Sequence, residues 1–387
     1  MTELTFRSML MQRQEGSVIG NWWHSVDRWT LGAVIALFVT GMVLGLAASP
    51  PLAEKNGLAT YHYVIRHGIF AVMGLTGIIV LSMLSHITIR RLGVILFMVS
   101  FAATALLPWL GTDFGKGATR WYSLGIIGLQ PSEFLKPAFA IFAAWLMAGA
   151  MEKAGPPGRT ISGVTALTIA IMLALQPDFG QAMLILSLWA AMLFVSGAPV
   201  LLLVGFAGSV AGGLSIAYFN SAHVARRIDA FLAEGVDPRS QLAYAEAAIR
   251  EGGFFGAGAA QGQVKWALPD AHTDFIIAVA AEEFGLVLTL CILGLYLFIT
   301  LRSLARLVEE RNAFIRLAGT GLAVMFGLQA FVNFSVAIRL LPAKGMTLPF
   351  ISYGGSSMLA GALVVGGLLA MTRSRQHDAT ALIRGPA

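Results

Sequence analysis

Residues 252–283 read GGFFGAGAAQGQVKWALPDAHTDFIIAVAAEE, and the reading of this stretch decides the fold. It closes the longest polar segment of an otherwise apolar chain and runs directly into a hydrophobic helix. Asp270, His272, Thr273 and Asp274 fall where water would meet hydrocarbon, with Glu282 and Glu283 beyond them inside the helix. A charged carboxylate at the centre of a bilayer costs about 2.5–3.5 kcal/mol on insertion scales, so at least one of the pair must face the bundle interior and be paired or protonated. A structural salt bridge to Lys136, Arg120 or Arg339 meets that need, and the spacing does not choose among the three.

The composition supports the membrane reading. Of 387 residues 57% are apolar and 12% charged, with a mean hydropathy of +0.76. A soluble domain carries about 25% charge. The fold class is therefore an all-α polytopic membrane protein. The net charge of +6 is not gathered into a basic stripe interleaved with aromatics, which excludes nucleic acid as a partner. A single Cys291 excludes an internal disulfide and a zinc cluster.

Working outward, apolar runs predict ten spans, beginning near Trp29, His67, Leu92, Glu133, Ile161, Phe179, Pro199, Phe275, Leu317 and Phe350. The charge-free run from Pro137 to Ala150 is about 21 Å long at 1.5 Å per residue, short of a hydrocarbon core of roughly 30 Å. Span four must therefore include Glu133 and Lys136 at the membrane boundary. HITIRR, residues 86–91, reads as a turn, 301–316 as a charged connector, and spans six and seven as plain scaffold. The expected organisation is an N-terminal segment 1–28, a membrane domain 29–372 with a large outer loop 220–274, and a tail 373–387. An even number of spans puts both termini on one side, and the basic short connectors make that side cytoplasmic.

On this topology RWYSLGIIGLQPSEFLK, QPDFG, the long loop and LPAKGMTLPFISYGGSS all meet one outer face. Asp274 or Thr273 is expected to cap the helix that follows. Ala278, Ala281 and Gly285 make a small face below Asp274 that could border a groove, and Lys265 and His272 flank the carboxylate, which suits a general base or cation ligand. Capping and catalysis are compatible. Glu133 and Lys136 at i and i+3 form a local ion pair or bind an anionic headgroup. Arg120 beside Trp121 anchors the interface or grips phosphate. Asp178 after Pro177 reads as a turn or cap. The hydroxyls of Ser352–Ser357, Ser356 among them, either tighten the start of span ten or touch phosphate or sugar.

The segments KGATRWYSLGIIGLQPSEFLKP, LQPDFGQAMLI, GGFFGAGAAQGQVKWALPDAHTDFIIAVAAEEFGL and LLPAKGMTLPFISYGGSSML together resemble the SEDS family of polytopic membrane proteins. Lys344 before Gly345 makes the last segment more similar to the division-type branch. The resemblance implies a peptidoglycan glycosyltransferase that polymerises lipid II in septal wall synthesis, in the inner (plasma) membrane at the division site. It implies a class B penicillin-binding transpeptidase of the FtsI type and other divisome membrane proteins as partners. The family's essential aspartate maps onto Asp274, and its RW, PSE-x-x-K and QPD positions onto Arg120, Trp121, Glu133, Lys136 and Asp178. The expected substrate-binding set is these five with Lys265, His272, Lys344 and Ser356, while Glu282 and Glu283 are structural. A divalent cation, Mg or Mn, is admitted at the phosphates as the one cofactor. Two departures stand out: Ser240-Gln241 and Ala245-Glu246 where the family has a tyrosine-glutamine pair and a serine, and Asp270 for glutamate. The rival readings are a lipid II flippase or secondary transporter and a non-catalytic divisome scaffold. The absence of an internal repeat counts against inverted-repeat transport.

Overall fold

The structure, a computed structural model, describes residues 18–374 apart from 113–118, 124, 126–127, 153–154, 221, 233–239, 269 and 343–344. Short α1 (Val18–Ser25) leads into the long helices α2 (Arg28–Lys55), α3 (His62–Met83) and α4 (His86–Leu110). A two-stranded hairpin, β1 (Tyr122–Ser123) and β2 (Gly128–Leu129), precedes α5 (Pro131–Gly149). Then come α6 (Gly158–Leu175), α7 (Phe179–Val195) and α8 (Val200–Asn220). The long loop holds α9 (Ala222–Leu232) and α10 (Gln241–Gly252), and the chain closes with α11 (Ile276–Val308), α12 (Ala313–Ala337) and α13 (Gly355–Met371).

Seven of these helices, α2, α3, α4, α6, α8, α11 and α12, are long and apolar enough to cross a membrane. Helices α7 and α13 are apolar but shorter at 17 residues each, and α5 carries Glu133 and Lys136 in its first two turns. Each stands where an apolar run predicts a span, and the fold-back at Ser196–Pro199 separates α7 from α8. Helix starts follow local chemistry: Asp27, Ser85, Ser240 and Asn312 accept from amides of the first turn, and Pro131 opens α5.

Helix α12 is the hub, packing against α5, α7, α11 and α13, and 67% of its apolar window is buried inside the protein. Helix α8 is the opposite case, with 0% buried. Between α6, α7 and α8 lies an open apolar groove, walled in part by the sixth and seventh spans.

Three expectations need correction. HITIRR is the first turns of α4, because Ser85 caps that helix, and not a turn. The connector 301–316 is almost entirely helical, since α11 runs to Val308 and α12 begins at Ala313. The eighth span is not one continuous helix: Gly285 takes φ 78° and ψ −176°, a conformation side-chain-bearing residues avoid, and the axis breaks there.

The ends of the described chain meet on one face. The Ser374 amide donates to the Ser25 carbonyl at 3.0 Å, and Arg373 reaches Ser25 Oγ and the carbonyls of Ser82 and Met83. Beside them Asp27 receives Arg302 at 2.7 and 3.0 Å and Arg306 at 3.3 Å, which fastens the start of α2 to the end of α11. Burial works against the Asp27 charge, yet Arg302, Thr30 and Arg306 outweigh it and hold the carboxyl below its ordinary 3.8. Its contribution is thus complete above that ordinary value and is lost as pH falls through the lowered one. Asp27→Asn should lower stability by about 1–2 kcal/mol at neutral pH. Thermal unfolding in detergent should show the gap between variant and wild type closing as pH drops below 3.8.

Candidate active site

The break at Gly285 frees backbone groups on both sides of it, and the glycine-rich loop 253–265 takes them up. The Leu286 and Val287 amides donate to the carbonyls of Gly253 and Phe254, and the Glu282 and Glu283 carbonyls accept from Ala257 and Gly258 at 2.8 and 3.0 Å. The carboxylates of the same two glutamates grip the loop further on. Glu282 accepts from the amides of Val264 at 2.7 Å and Lys265 at 3.0 Å. Glu283 accepts from the Ala260 amide at 3.1 Å and from the Lys265 ammonium. The expected partners Lys136, Arg120 and Arg339 are all engaged elsewhere, Arg339 with Glu246. Sequence separation misled here, because the true partners lie only 17–23 residues back, on a loop whose backbone supplies most of the donors. The latch commits Lys265, which is buried with Glu283.

The small face below Asp274 is not an open groove. Ala278 and Ala281 are buried, and α10 packs so close that a Cβ on Gly252 would lie 1.8 Å from the Ala281 carbonyl oxygen. The latch and α10 hold the segment that carries Asp270 to Asp274 from one side. From the other, Asn333, one turn before the end of α12, donates to the backbone carbonyls of Asp274 at 3.0 Å and Met346 at 2.7 Å. The Tyr353 amide donates to the His272 carbonyl at 2.9 Å, and the Ser352 hydroxyl to the Thr273 carbonyl at 2.5 Å. The cap position of α11 falls on Phe275, with no side chain capping it, so neither Asp274 nor Thr273 serves as the expected cap. Asp274 instead lines a small cleft with Gln241, Asn333, Gly345, Met346 and the apolar Phe275, Val332 and Val336. His272 sits with Tyr63 and Tyr353 in a ring cluster at 5.3–5.7 Å between centroids.

A second charged cluster surrounds the start of α5. Lys136 donates to both Glu133 oxygens at 3.0 Å, and the Gln181 amide to Glu133 Oε1 at 2.9 Å, all three side chains being buried. Arg120 donates to the Gln176 and Pro177 carbonyls at 2.8 Å each, satisfying the C-terminal end of α6, and its Nη1 lies 4.0 Å from Asp178. Burial raises the Asp178 carboxyl above its ordinary range, against the pull of Arg120 and Lys136. Trp121 bridges Thr112 and packs its ring across the hairpin toward Gly128.

The two clusters are joined through the glycine-serine segment. The Ser356 hydroxyl accepts from the Gln130 amide and donates to the Gly128 carbonyl, each at 3.1 Å. Ser357 receives the Thr347 hydroxyl at 2.7 Å and borders a small cavity with Glu133 and Lys136. The four loops therefore converge as one contiguous surface. Lys344 lies outside the described residues. Among the described residues no cluster of three His, Cys, Asp or Glu side chains could hold a metal.

Sequence reasoning missed Asn333, Gln241 and Tyr63. Asn333 carried a readable signal, a side-chain amide one turn after Gln329 inside an apolar run, which a membrane span rarely tolerates without a use. Tyr63, at the start of a span, carried none.

Residues 28–377 match the FtsW/RodA/SpoVE family, described as cell cycle proteins. The chain is 39% identical to the probable peptidoglycan glycosyltransferase FtsW of Caulobacter vibrioides, across 94% of this chain and 93% of that one. It is 35% identical to the protein of the same name from Trichlorobacter lovleyi, across 87% and 90%. Among solved structures it resembles a chain reported under "Structural coordination of polymerization and crosslinking by a peptidoglycan synthase complex", with a TM-score of 0.72 and 27% identity across 90% of this chain and 97% of that chain. It also resembles the crystal structure of the Thermus thermophilus rod shape determining protein RodA, with a TM-score of 0.66, 28% identity and the same coverage.

Glu282→Ala removes the acceptor for two loop amides. Hydrogen exchange should speed up across residues 257–265 and leave α12 unchanged; protection equal to wild type in the loop would show that the carboxylate does not hold it.

Proposed function

The chain belongs to the FtsW/RodA/SpoVE family of cell cycle proteins, and on that premise we propose that it is a peptidoglycan glycosyltransferase polymerising lipid II during septal wall synthesis. The observation that carries the reading is the Asp274 cleft: a carboxylate at the foot of α11 rather than at its cap position, its backbone pinned by Asn333, facing a recess that Gln241 and Asn333 share with apolar Phe275, Val332 and Val336.

The acceptor is a sugar hydroxyl of lipid II and the donor a glycan chain on undecaprenyl pyrophosphate. Asp274 orients the hydroxyl and takes its proton as the oxygen attacks the anomeric carbon. The bond from that carbon to the pyrophosphate oxygen breaks, and the pyrophosphate leaves with the bonding pair. Arg120, its side chain partly exposed beside Asp178, stabilises the leaving phosphates, with the buried Lys136–Glu133 pair in the same cluster. A divalent cation, Mg or Mn, would neutralise charge on the leaving phosphates, which would have to supply most of its ligands, since the described residues offer no three-ligand set. Trp121 and Asp178 on the α5 side, His272 on the Asp274 side and Ser356 at the link complete the substrate surface, and Lys265 acts through the loop latch.

The groove between α6, α7 and α8 takes the polyprenyl chain. It is apolar, opens toward lipid, and runs from Arg159 to Phe179, which adjoins Asp178. A chain in it brings its pyrophosphate to Arg120. The protein works in the inner membrane at the division septum with both termini cytoplasmic. It is paired with a class B penicillin-binding transpeptidase of the FtsI type and other divisome membrane proteins, a reading that the likeness to a polymerising and crosslinking complex supports.

Asp274→Asn should lower kcat for lipid II polymerisation by about 10²–10⁴, the usual worth of a general base, with the thermal transition unmoved. Gly213, on the groove wall with open space beside it, offers a separate test. Gly213→Leu should raise KM several-fold for full-length lipid II and much less for a short-prenyl analogue. Equal effects on both would remove the groove from the account.

A further inference from the structure

A second recess, apolar over most of its wall but with charged groups at its edge, lies on the face that carries both chain ends. It is an open recess between the start of α4, the end of α5 and the start of α12. Its walls bring together His86, Arg90, Trp145, Glu152, Asn312 and Phe314. The Arg90 guanidinium stands over the Phe314 ring, 5.8 Å from its centroid, and makes no ion pair or hydrogen bond with a described residue. Glu152 is exposed, and its carboxylate is likewise without a described partner. The two do not pair with each other, although both line one recess. A cation and an anion held apart in one pocket are the complement of a zwitterion, because each retains most of its field for a ligand group of opposite sign. Trp145, 42% exposed one turn before the end of α5, sets the depth: its ring belongs at the headgroup level, with acyl chains beside it.

We propose that this recess binds the phosphoethanolamine headgroup of a phospholipid from the leaflet facing the chain ends, phosphate on Arg90 and ammonium on Glu152. The first amides of α12, at Ala313 and Phe314, lack intrahelical partners and add donors on the phosphate side. His86 stands on the same side as Arg90, four residues before it on α4. An ethanolamine ammonium donates hydrogen bonds to Glu152, whereas a choline headgroup has no N–H to give and a glycerol headgroup presents no positive charge. Phosphate recognition alone would accept all three lipids, so the preference for ethanolamine is the content of the proposal. The recess is built from α4, α5 and α12 at the end opposite the Asp274 cleft, and none of its residues has a part in the transfer reaction.

The test uses the full-length protein, delipidated in detergent, then offered phosphatidylethanolamine, phosphatidylcholine or phosphatidylglycerol of matched acyl chains, with retained lipid counted by native mass spectrometry. Soluble phosphoethanolamine and inorganic phosphate serve as competitors that separate a headgroup source from a lipid source. Wild type should retain phosphatidylethanolamine over both other lipids, and neither soluble competitor should displace it fully. Arg90→Gln should cut retention by about fivefold, the worth of one basic contact near a headgroup surface. Glu152→Gln should erase the preference for ethanolamine while leaving phosphatidylglycerol retention equal or higher. Both variants should keep wild-type thermal transitions, and their lipid II polymerisation reports the outer site independently. Equal retention of the three lipids, or an ethanolamine preference that survives Glu152→Gln, would overturn the proposal without touching the glycosyltransferase reading.

Discussion

Two adjacent carboxylates set the terms for the outer half of this protein. Glu282 and Glu283 sit at the last turn before the Gly285 break, buried among apolar helices, where an uncompensated charge would cost several kcal/mol. What offsets that cost is a loop: three backbone amides and one ammonium from residues 260–265 converge on the four carboxylate oxygens. Neither partner is satisfied alone. The carboxylates need the loop as much as the loop needs them, so a segment that would otherwise wander over the membrane surface becomes part of the bundle. Asp274 lies between this latch and the Asn333 clamp on α12, and its position follows from both.

The site that results divides its charge between two places. On the Asp274 side the described residues lining the cleft are Gln241, Asn333 and apolar or backbone groups, with a ring cluster about His272 alongside. On the α5 side, Arg120, Lys136, Glu133 and Asp178 form a compact network of both signs. A reaction that takes a proton at one atom and releases a diphosphate at another has the same division of needs. The linking segment 345–357 touches both sides through Thr347, Ser352, Ser356 and Ser357, so displacement of either cluster is felt by the other.

The membrane architecture was legible because it rests on run length and charge economy, and those are local. The requirement that α5 begin with Glu133 and Lys136 at the boundary came from arithmetic on helix rise, and α5 does begin at Pro131. The convergence of four polar loops was legible from alternation of sides. What could not be read was backbone detail. Periodicity assumes a continuous helix, so Gly285 was counted as part of a small face when its φ of 78° ends that face. The partners of Glu282 were sought among side chains, whereas its donors are amides, which carry no mark in a sequence. Connectors rich in arginine looked like loops although they continue helices, because Arg302 and Arg306 find Asp27 near a chain end some 275 residues away. Asn333 was visible as an oddity, but its two carbonyl acceptors became visible only in three dimensions.

The central claim is that these converged loops perform chemistry, as distinct from moving lipid II across the bilayer or holding other proteins. The most direct measurement is product analysis after mixing the purified full-length protein, its class B transpeptidase partner and lipid II in detergent, where no transmembrane gradient exists. The account predicts glycan strands many disaccharides long together with release of undecaprenyl pyrophosphate. Unchanged lipid II in that mixture, alongside translocation of lipid II when the same preparation is placed in sealed vesicles, would contradict it.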